Sequence, residues 1–523
     1  MMPTESLPPV TVELDGSPLD DDAAASLLEV RVLQHLCMPS LCELVFAEPR
    51  GELARAERLL PGTTLSVRIE DDAQILFDGE ITSLQHCHGP ANQLQIRLRA
   101  FDRLHRLRKR QPVRGWADLN LQDLAGKLTE DIGLDVCIDE PGPLWPRIMQ
   151  WRQSDLELLT EVASRCGMYF FLRERSLAFA TLAGSGTDVE LSLGTTLLEA
   201  QLEATAEPAC RSVNVRAWDS WTAQSIAGTA TVARVGREVG IDPASGSEGL
   251  PRERTLVDEN AQTEAHATAL AQAELDRRVA GEVTVNAVAA GNAQLHPGRR
   301  VKLLGVAAPF VGRYVLTSVI HTIDRTSGFR SAFNTAAPAA IQRARGSVTT
   351  FGIVLDSDDP QKLGRVRVTL PNYCDIETDW LEVLSPGGGS GKGLVTVPDT
   401  GDRVLLLLPR EDPAQALVLG GLFASDGPPD SGVRDRRVYR YTLVTRGGQR
   451  LYLEEEQKVV RLENGSGGYL ELAPDRTQIA NGAGSYVELT KDHMRLHASC
   501  DINIEAPGRA LRFRSASVDF ERG

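Results

Sequence analysis

The chain is long, acidic and of ordinary hydrophobicity. It has 523 residues, a formal net charge of -15 and 42% hydrophobic residues. This length exceeds what one hydrophobic core usually supports, so several domains are expected. No run approaches the roughly 18 apolar residues that a membrane-spanning helix needs. The negative charge disfavours the phosphate backbone of a nucleic acid as a partner.

The N-terminus and the cysteines indicate where the protein is made. The first segment, MMPTESLPPVTVELDG, has neither the basic cap nor the apolar stretch of a secretory signal, so we expect synthesis in the cytoplasm. The cysteines form no CxxC pair, and we expect them to be small core residues in a reducing compartment. They are Cys37, Cys42, Cys87, Cys137, Cys166, Cys210, Cys374 and Cys500.

Strand patterns open the chain and helical patterns follow. Residues 10 to about 110 alternate short apolar runs with turns, which predicts antiparallel strands. Ser154 and Glu157 form a capping-box start for one helix. Apolar residues at helical spacing predict helices over residues 119–134, 153–168 and 258–280. Strand patterns then resume, so this part of the chain is expected to be α+β.

Two breaks divide the rest of the chain. Alternation is lost at residues 337–347, and a cluster of turn residues at 424–435 cannot continue a strand. Between the breaks lies a strand-rich block, in which Asp359 and Pro360 are expected to set a turn. Its residues expected to face inward at period two are Val366, Val368, Val404 and Leu406.

From residue 441 onward, short strands repeat with polar turns between them. Such strands cannot bury a core within a single chain, so the repeats must stack or intertwine. Three intertwined copies would place one large residue of each strand in an axial core. The residues expected in this rod core are Leu453, Leu462, Leu472, Ile479, Leu489, Leu496, Ile504 and Phe513.

The block from 351 to 423 resembles the OB-fold domain of a known family. This family comprises the spike proteins of contractile phage tails, of type VI secretion (VgrG proteins) and of extracellular contractile injection systems. The residues that carry the resemblance are Gly352, Asp359, Pro360, Gly364, Arg365, Val366, Val368, Pro371, Trp380, Val383, Pro398, Gly401, Asp402, Val404, Asp412, Pro413, Val418 and Gly420.

Residues 1 to about 345 resemble the baseplate hub domain of the same family. The motifs are FDGEITSLQ, RAFDRLHRL, WRQSDLELLTEVASRCGMYFFL and GRYVLTSVIHTID. The resemblance implies a mainly β fold with an α+β hub. The expected domains are a hub of two barrel-like units with inserted helices (1–345), an OB-fold barrel (346–428), a linker (429–440) and an intertwined trimeric β-helix spike (441–523).

The resemblance implies a structural central spike and no enzyme or cofactor. The expected homotrimer caps the inner tube, contacts baseplate proteins and meets the target membrane on firing, within an injection particle that is released or cell-anchored. The short rod and the lack of an effector domain favour an extracellular or phage-tail-like system over type VI secretion. Alternative interpretations are a tail-associated cell-wall-degrading enzyme and an effector carrier of a type VI system, with effector cargo as a further partner.

The end of the rod is expected to dock a PAAR-type tip protein. No histidine follows His497, so a metal-bound point is not expected and the rod would end bluntly. A blunt end would expose strand edges and an apolar centre. The expected docking residues are Val518, Phe520, Glu521, Arg522 and Gly523.

Two motifs could bind a ligand, but a structural role is preferred for both. The glycine-rich loop 386–394 lacks the residue spacing of a P-loop and is expected to be an exposed barrel loop. His86 and His88 flank Cys87 and could share a strand face as metal ligands. No second ligand cluster is near in sequence, so a metal site is disfavoured.

Two further groups of polar residues could carry chemistry. His493 and His497 are four residues apart and could stack on a threefold axis, although surface-facing histidines are preferred. The acidic pair Asp155 and Glu157, and the run 454–456, could be imagined as a glycosidase dyad. Helix capping and a solvated rod surface explain these carboxylates better.

Overall fold

The computed structural model describes the chain except for short gaps. The described residues are 10–47, 59–69, 75–90, 94–219, 224–246, 252–257, 259–341, 346–423, 425 and 427–522. They fall into two compact units, residues 1–421 and residues 422–523. The fold is mainly β.

Antiparallel strands form the first half of the hub. Alternate residues of these strands point inward, and Cys42, Leu44 and Phe46 on one strand are fully buried. This alternation is the period-two pattern of a sheet with one buried face. The elements are β1 (Val10–Leu14), β2 (Ser17–Pro18), α1 (Asp21–Ser26), β3 (Leu27–His35), β4 (Leu41–Ala47), β5 (Thr64–Ile69), β6 (Ile75–His88) and β7 (Leu94–Phe101).

A helical insertion follows, and its two longer helices each begin at a capping box. Asn120 caps α2, and the helical segment ends at Gly133, which has a φ of 66°. The capping box of Ser154 and Glu157 opens α3. The elements are β8 (Arg114–Leu119), α2 (Leu121–Thr129), β9 (Asp135–Cys137), β10 (Trp145–Gln150), α3 (Asp155–Arg165), β11 (Tyr169–Arg173) and β12 (Ser176–Ala180).

The second half of the hub holds the last helix, which begins later than predicted. Thr263 accepts a hydrogen bond from the His266 amide and caps α4, so the helix starts after it and not at residue 258. The elements are β13 (Ser185–Ser192), β14 (Leu197–Ala204), β15 (Ser212–Asp219), β16 (Gln224–Ala230), β17 (Glu238–Val239), β18 (Glu253–Val257), α4 (Glu264–Ala280), β19 (Val283–Ala290), β20 (Arg299–Leu304), β21 (Gly312–Val315), β22 (Ser318–Asp324) and β23 (Gly328–Asn334). Among the described residues, no helix combines the length and hydropathy needed to cross a bilayer.

One sheet joins the two barrel-like halves of the hub. In the described part of the chain, eleven strands follow the order β14-β19-β23-β22-β3-β4-β7-β6-β5-β1-β2. The halves meet where β22 pairs antiparallel with β3. Each half keeps a core of its own, one around Phe46 and Leu98 and the other around Val285 and Tyr314.

The OB-like barrel completes the first unit. Its first strand pairs on one side with the second and on the other with the fourth, so it lies at the centre of the five-stranded sheet. Val366, Val368, Val404 and Leu406 are fully buried, which confirms the predicted inward face. The strands are β24 (Ser347–Asp356), β25 (Arg367–Leu370), β26 (Ile376–Glu377), β27 (Arg403–Pro409) and β28 (Leu417–Leu422).

The second unit is an antiparallel meander preceded by a small hairpin. Within residues 440–497, seven strands each pair with the next one along the same chain. The hairpin is β29 (Val433–Arg434) and β30 (Arg437–Val438). The meander is β31 (Arg440–Val444), β32 (Arg450–Glu454), β33 (Val459–Glu463), β34 (Tyr469–Leu472), β35 (Arg476–Ala480), β36 (Tyr486–Thr490) and β37 (Met494–His497).

The prediction that all cysteines belong to cores was wrong for part of the set. All eight lie in the described residues and are free thiols. Cys42, Cys166 and Cys210 are buried, whereas Cys37 and Cys87 are only partly covered. Cys137, Cys374 and Cys500 are exposed, because each lies in a strand end or connection where apolar neighbours in sequence do not become neighbours in space.

Candidate functional site

One face of the C-terminal meander carries two continuous rows of mostly apolar side chains. Strands β31 to β37 each contribute a triad of two such residues with a polar or tyrosine residue between them, and strand register aligns the triads. The first row is Leu443, Leu451, Leu462, Leu470, Ile479, Val487 and Leu496. The second row is Tyr441, Leu453, Val460, Leu472, Thr477, Leu489 and Met494.

This apolar face is not covered by the chain that makes it. Leu462 remains 52% exposed, Ile479 54% and Leu496 57%. A sheet normally buries the face on which its large aliphatic side chains lie. An uncovered apolar surface of this extent marks an interaction site.

The structure brings most of the predicted rod-core residues onto this face. Leu453, Leu472 and Leu489 lie in one row, and Leu462, Ile479 and Leu496 lie in the other. The expectation of one large residue per strand missed the second residue of each triad. The spacing i, i+2 within each strand, as in LYL and LEL, was the signal that would have found it.

The remaining predicted residues lie beyond the last strand. Ile504 and Phe513 are exposed, and so are the residues expected at the tip: Val518, Phe520, Glu521 and Arg522. Gly523 lies outside the described residues. The structure therefore does not bring these side chains together with the apolar face.

On the opposite face of the meander, ion pairs and aromatic rings hold neighbouring strands together. Arg461 lies with its guanidinium 3.9 Å from the Tyr469 ring centroid and donates to Glu471 at 2.9 Å. Arg476 donates to the other oxygen of Glu471, also at 2.9 Å. Partial burial would raise the pKa of Glu471, but the two arginines outweigh it and leave that pKa lowered. These long side chains cover the face on which they lie. The apolar face of the same strands, in contrast, stays exposed.

The predicted turn of the OB barrel is a hydrogen-bonded loop around one carboxylate. Asp359 accepts from the amides of Gln361 and Leu363 at 3.0 and 2.9 Å. It also accepts two hydrogen bonds from Arg365, at 2.7 and 3.0 Å. These bonds from Arg365 hold the pKa of Asp359 well below its usual range. The role of this residue is thus to fix the turn.

The glycine-rich loop 386–394 is an exposed irregular loop. Gly387, Gly391 and Gly393 have positive φ angles of 67°, 70° and 139°. The loop is followed by extended chain leading to β27 and not by a helix, whereas phosphate-binding loops place the phosphate at a helix N-terminus. Its geometry agrees with the expected barrel loop.

The histidine candidates remain apart from other ligands. His86 and His88 are exposed on β6. His493 lies in the turn before β37 and contacts Glu488 at 3.1 Å, so it does not share a strand with His497, which packs against the Tyr486 ring. In the described part of the chain, no group of three or more His, Cys, Asp or Glu side chains could hold a metal ion.

The acidic pairs have structural partners. Glu157 accepts hydrogen bonds from the Ser154 amide at 2.7 Å and from its hydroxyl at 2.9 Å. Asp155 is fully buried and ion-paired with Arg110 and Arg114. In the acidic run, Glu454 pairs with Arg440 and Glu456 with Arg434. These contacts agree with the capping and surface interpretations.

A cleft of about 1000 Å³ lies between the hub and the OB barrel. Trp145, Ile148 and Leu156 form part of its apolar wall, and Arg152 and Glu411 pair at its rim at 3.0 Å. The cleft does not include the residues that sequence reasoning singled out as rod core or tip.

Comparisons with known proteins agree with this architecture. Residues 7–325 match the family model described as Alg8 N-terminal domain, which is more than half of the chain. Residues 350–423 match the model described as Type VI secretion system/phage-baseplate injector OB domain. Among curated proteins, none matches this chain at a significant level.

Solved structures with the same fold include two large bacterial examples. The E. coli c3393 protein is described as a component of the type VI secretion system, similar to T4 bacteriophage tail proteins gp27 and gp5. It is 15% identical with a TM-score of 0.52, over 79% of this chain and 99% of that chain. The Francisella PdpA-VgrG complex in its half-lidded form is 7% identical with a TM-score of 0.51, over 93% of this chain and 87% of that chain. At these identities the likeness concerns the fold alone. The chain therefore belongs to the family of the Alg8 N-terminal domain, carries an injector OB domain of the type VI secretion system/phage-baseplate kind, and shares its fold with these VgrG-like and tail-like proteins.

Proposed function

We propose that this chain is one subunit of a trimeric central spike in a contractile injection system. The observation that carries the proposal is the apolar face of the meander, which its own chain leaves uncovered. Three such faces packed around a threefold axis would form a common core of the two rows, with the charged faces outward. Burial of apolar area is the main favourable contribution to such an association.

The hub of the trimer would meet the inner tube and the baseplate. The family and the fold of the first unit support this assignment, since similar folds occur in tail and secretion proteins. The hub ring would cap the tube, and sheath contraction would drive the rod into a target membrane. We place the protein in an extracellular or phage-tail-like particle: the chain would be made in the cytoplasm and assembled into a particle that is released or cell-anchored.

The role proposed is mechanical and not enzymatic. The candidate carboxylates Asp155 and Glu157 are engaged in an ion pair and a helix cap, and His493 contacts Glu488. A second candidate function is carriage of an effector, because one protein of similar fold is a VgrG solved in complex with PdpA. A peptidoglycan hydrolysis assay with the purified trimer tests the enzymatic alternative. Turnover abolished by changing one carboxylate of the chain would contradict the mechanical role.

The experiment on the trimer compares one substitution on the apolar face of the meander with one in a turn between its strands. Sedimentation equilibrium of the full chain should give three times the chain mass. Leu462→Asp places three like charges in the proposed core and should shift the protein to monomers, because buried unpaired charge is costly. Lys458→Asp, in an exposed turn, should leave the trimer intact. A monomeric wild-type protein would refute the proposal.

The exposed end of the rod would dock a small tip protein. Phe520 is 94% exposed and Val518 58%, next to the charged Glu521 and Arg522. A partner that continues the strands and covers Phe520 would remove this apolar surface. Deleting residues 516–523 should abolish binding of a PAAR-type protein in a pull-down and leave the trimer intact. Retained binding would place the docking site elsewhere.

A further inference from the structure

Strand β10 in the hub has one edge without a strand partner in the described chain. It pairs with β8 alone, in a two-stranded sheet. Arg147, Ile148 and Met149 are consecutive in β10, and all three line the cleft between the hub and the OB barrel. Their side chains alternate between the two faces of the sheet, so a surface that touches all three follows the edge of the strand. The cleft therefore runs along the edge of β10 that β8 leaves open.

The backbone at this edge is buried and unpaired. In an antiparallel pair, the N–H and C=O groups of every second residue point away from the partner strand. Either Ile148 or Met149 therefore directs its backbone groups toward the cleft. These residues are only 7% and 3% exposed, and among the described residues no backbone group outside β8 bonds to them. Buried backbone groups are rarely left unpaired in native proteins, so a partner for this edge is expected.

Four side-chain atoms in the wall of the cleft are also buried without a hydrogen-bond partner. Two are donors, the Nε1 of Trp145 and the Nε of Arg147, and two are acceptors, the Oε1 atoms of Gln153 and Gln262. Trp145 itself is only 4% exposed. Unsatisfied buried polar atoms cost free energy, which a ligand with both donors and acceptors would recover. A peptide backbone carries both.

The size of the cleft and its apolar side chains suit one extended segment. Met38 and Ile341 are 49% and 41% exposed and lie in the wall together with Trp151 and Leu156. The volume of about 1000 Å³ is at the upper end of the range for ligand pockets, roughly 300 to 1,000 Å³. A strand added along the six residues of β10 would span roughly 20 Å. The space is therefore sufficient for a single strand and too small for a folded domain.

The charge of the cleft favours an acidic ligand. Its wall holds five arginines and four acidic residues. Arg108 lies over an aromatic ring and Arg147 donates to a backbone carbonyl, and neither has a carboxylate within ion-pair distance in the part of the chain that is described. By contrast, Glu157 is engaged in a helix cap and Glu411 pairs with Arg152. The two arginines are thus available to the carboxylates of a bound segment.

We propose that this cleft binds an extended acidic segment of a partner protein, which adds a strand to the free edge of β10. Backbone hydrogen bonds to β10 would hold the segment, as in other complexes formed by strand addition. Its acidic side chains would pair with Arg108 and Arg147, and its apolar side chains would contact Met38 and Ile341. The site adds a binding function to the mechanical role and does not depend on the trimer.

Peptide selection supplies a ligand with which the site can be tested. Random twelve-residue peptides displayed on filamentous phage are selected on the purified full chain, and we expect acidic sequences with alternating apolar residues. Fluorescence anisotropy of the labelled synthetic peptides then measures their dissociation constants. Arg147→Met should weaken binding roughly tenfold, because it removes the partner of an acidic side chain. Arg330→Met, at an exposed position of β23 outside the cleft, should leave binding unchanged.

Methylated peptides test the strand addition without any change to the protein. Methyl groups on every second backbone nitrogen block one edge of an extended peptide, and the same pattern shifted by one residue blocks the other edge. Only one of the two methylated peptides should lose affinity, by roughly tenfold or more, because it leaves buried groups of β10 unpaired. Equal effects of the two patterns would overturn the proposal. So would a selection that enriches no acidic sequence, or a variant Arg147→Met that binds as tightly as the wild type.

The monomeric variant separates this site from the proposed spike. The selection is repeated on Leu462→Asp, and we expect the same peptides from it as from the wild type. Enrichment on Leu462→Asp alone would show that a second copy covers the cleft in the trimer, which overturns its assignment to a partner protein. A wild-type protein that is monomeric in sedimentation but binds the peptides would refute the spike and leave this site standing.

Discussion

At the scale of single residues, Asp155 shows how one buried carboxylate joins several elements of the hub. One of its oxygens accepts from Arg114 at 2.6 Å and from Gln150 at 2.9 Å. The other lies 2.8 Å from the Nε of Arg110. Its partners come from β8, β10 and the segment before β8. Removal of the carboxylate would leave two arginines facing a site without a counter-charge.

We expect Asp155→Ala to destabilise the hub by about 3 to 5 kcal/mol, the usual cost of breaking a buried ion pair. Urea unfolding followed by tryptophan fluorescence at pH 7 measures the loss. Asp131→Ala is the control, because Asp131 pairs with the same Arg110 but is largely exposed. Its effect should stay below about 1 kcal/mol. Similar losses for both variants would contradict the importance of burial.

His321 predicts how the hub responds to acid. Its Nε2 contacts the Leu295 carbonyl at 3.0 Å and its Nδ1 the Ser331 hydroxyl at 2.9 Å. Burial lowers the pKa of His321 to about 4, below its ordinary value of 6.5. The folded state therefore binds this proton less readily than the unfolded state. Stability is fully present above pH 6.5 and is lost as the pH falls toward 4.

We expect His321→Gln to flatten this pH dependence by about 3 kcal/mol between pH 6.5 and 4. Glutamine keeps a donor for the Leu295 carbonyl but does not titrate. Burial also lowers the pKa of His266 to about 4, so some acid sensitivity should remain. Urea unfolding across this pH range makes the measurement, with the exposed His497→Gln as control. If stability depended on pH as steeply in His321→Gln as in the wild type, His321 would not be the source of the acid sensitivity.

At the scale of elements, the turns on one side of the meander stack closely on one another. Gly482 has a φ of 72°, and a Cβ there would lie 2.7 Å from the carbonyl carbon of Gly467 and 2.8 Å from its oxygen. A Cβ at Gly465 would lie 2.6 Å from the carbonyl oxygen of Gly447. The spacing of these layers therefore leaves no room for a side chain at Gly465 or Gly482.

Gly482→Ala should destabilise the second unit more than Gly508→Ala. Both positions have positive φ, so each substitution costs about 1 kcal/mol in backbone strain. At Gly508 a Cβ meets nothing within 4 Å, whereas at Gly482 the stacked turn must move, which adds roughly 1 to 3 kcal/mol. Thermal unfolding followed by circular dichroism compares them. Equal shifts in melting temperature would show that the stacking is loose.

At the scale of the whole molecule, polar contacts fasten the OB barrel to the hub within the first unit. Asn260, in the segment before α4, donates to Asp412 at 2.9 Å and accepts from Gln415. Arg147 on β10 donates to the Glu377 carbonyl. A few side chains that are far apart in the sequence thus couple the OB barrel to the hub.

We expect Asn260→Ala to weaken this coupling by about 2 kcal/mol, because it removes two partly buried hydrogen bonds. The unfolding transition of the OB barrel should then separate from that of the hub in differential scanning calorimetry. Arg152→Ala removes only an exposed pair with Glu411 and should leave the transitions together. A single transition for Asn260→Ala would show that other contacts dominate the junction.

Local signals in the sequence predicted much of the fold. The capping box at Ser154 and the inward face of the OB barrel were confirmed, because caps and period-two patterns depend on residues only a few positions apart. The start of α4 was set too early, since apolar spacing alone does not show that Thr263 provides the cap. The rod face was predicted only in half, because one residue per strand was counted where each strand presents two.

By itself, the sequence determined local features of this protein, such as where strands alternate and where the capping box opens α3. Only the tertiary structure decided which distant segments meet. The pairing of Asp324 with Glu29 and the contact of Asn260 with Asp412 join residues far apart in the chain. No periodicity encodes such partners, because they are selected by the packing of whole sheets and cores, in which each contact depends on all the others.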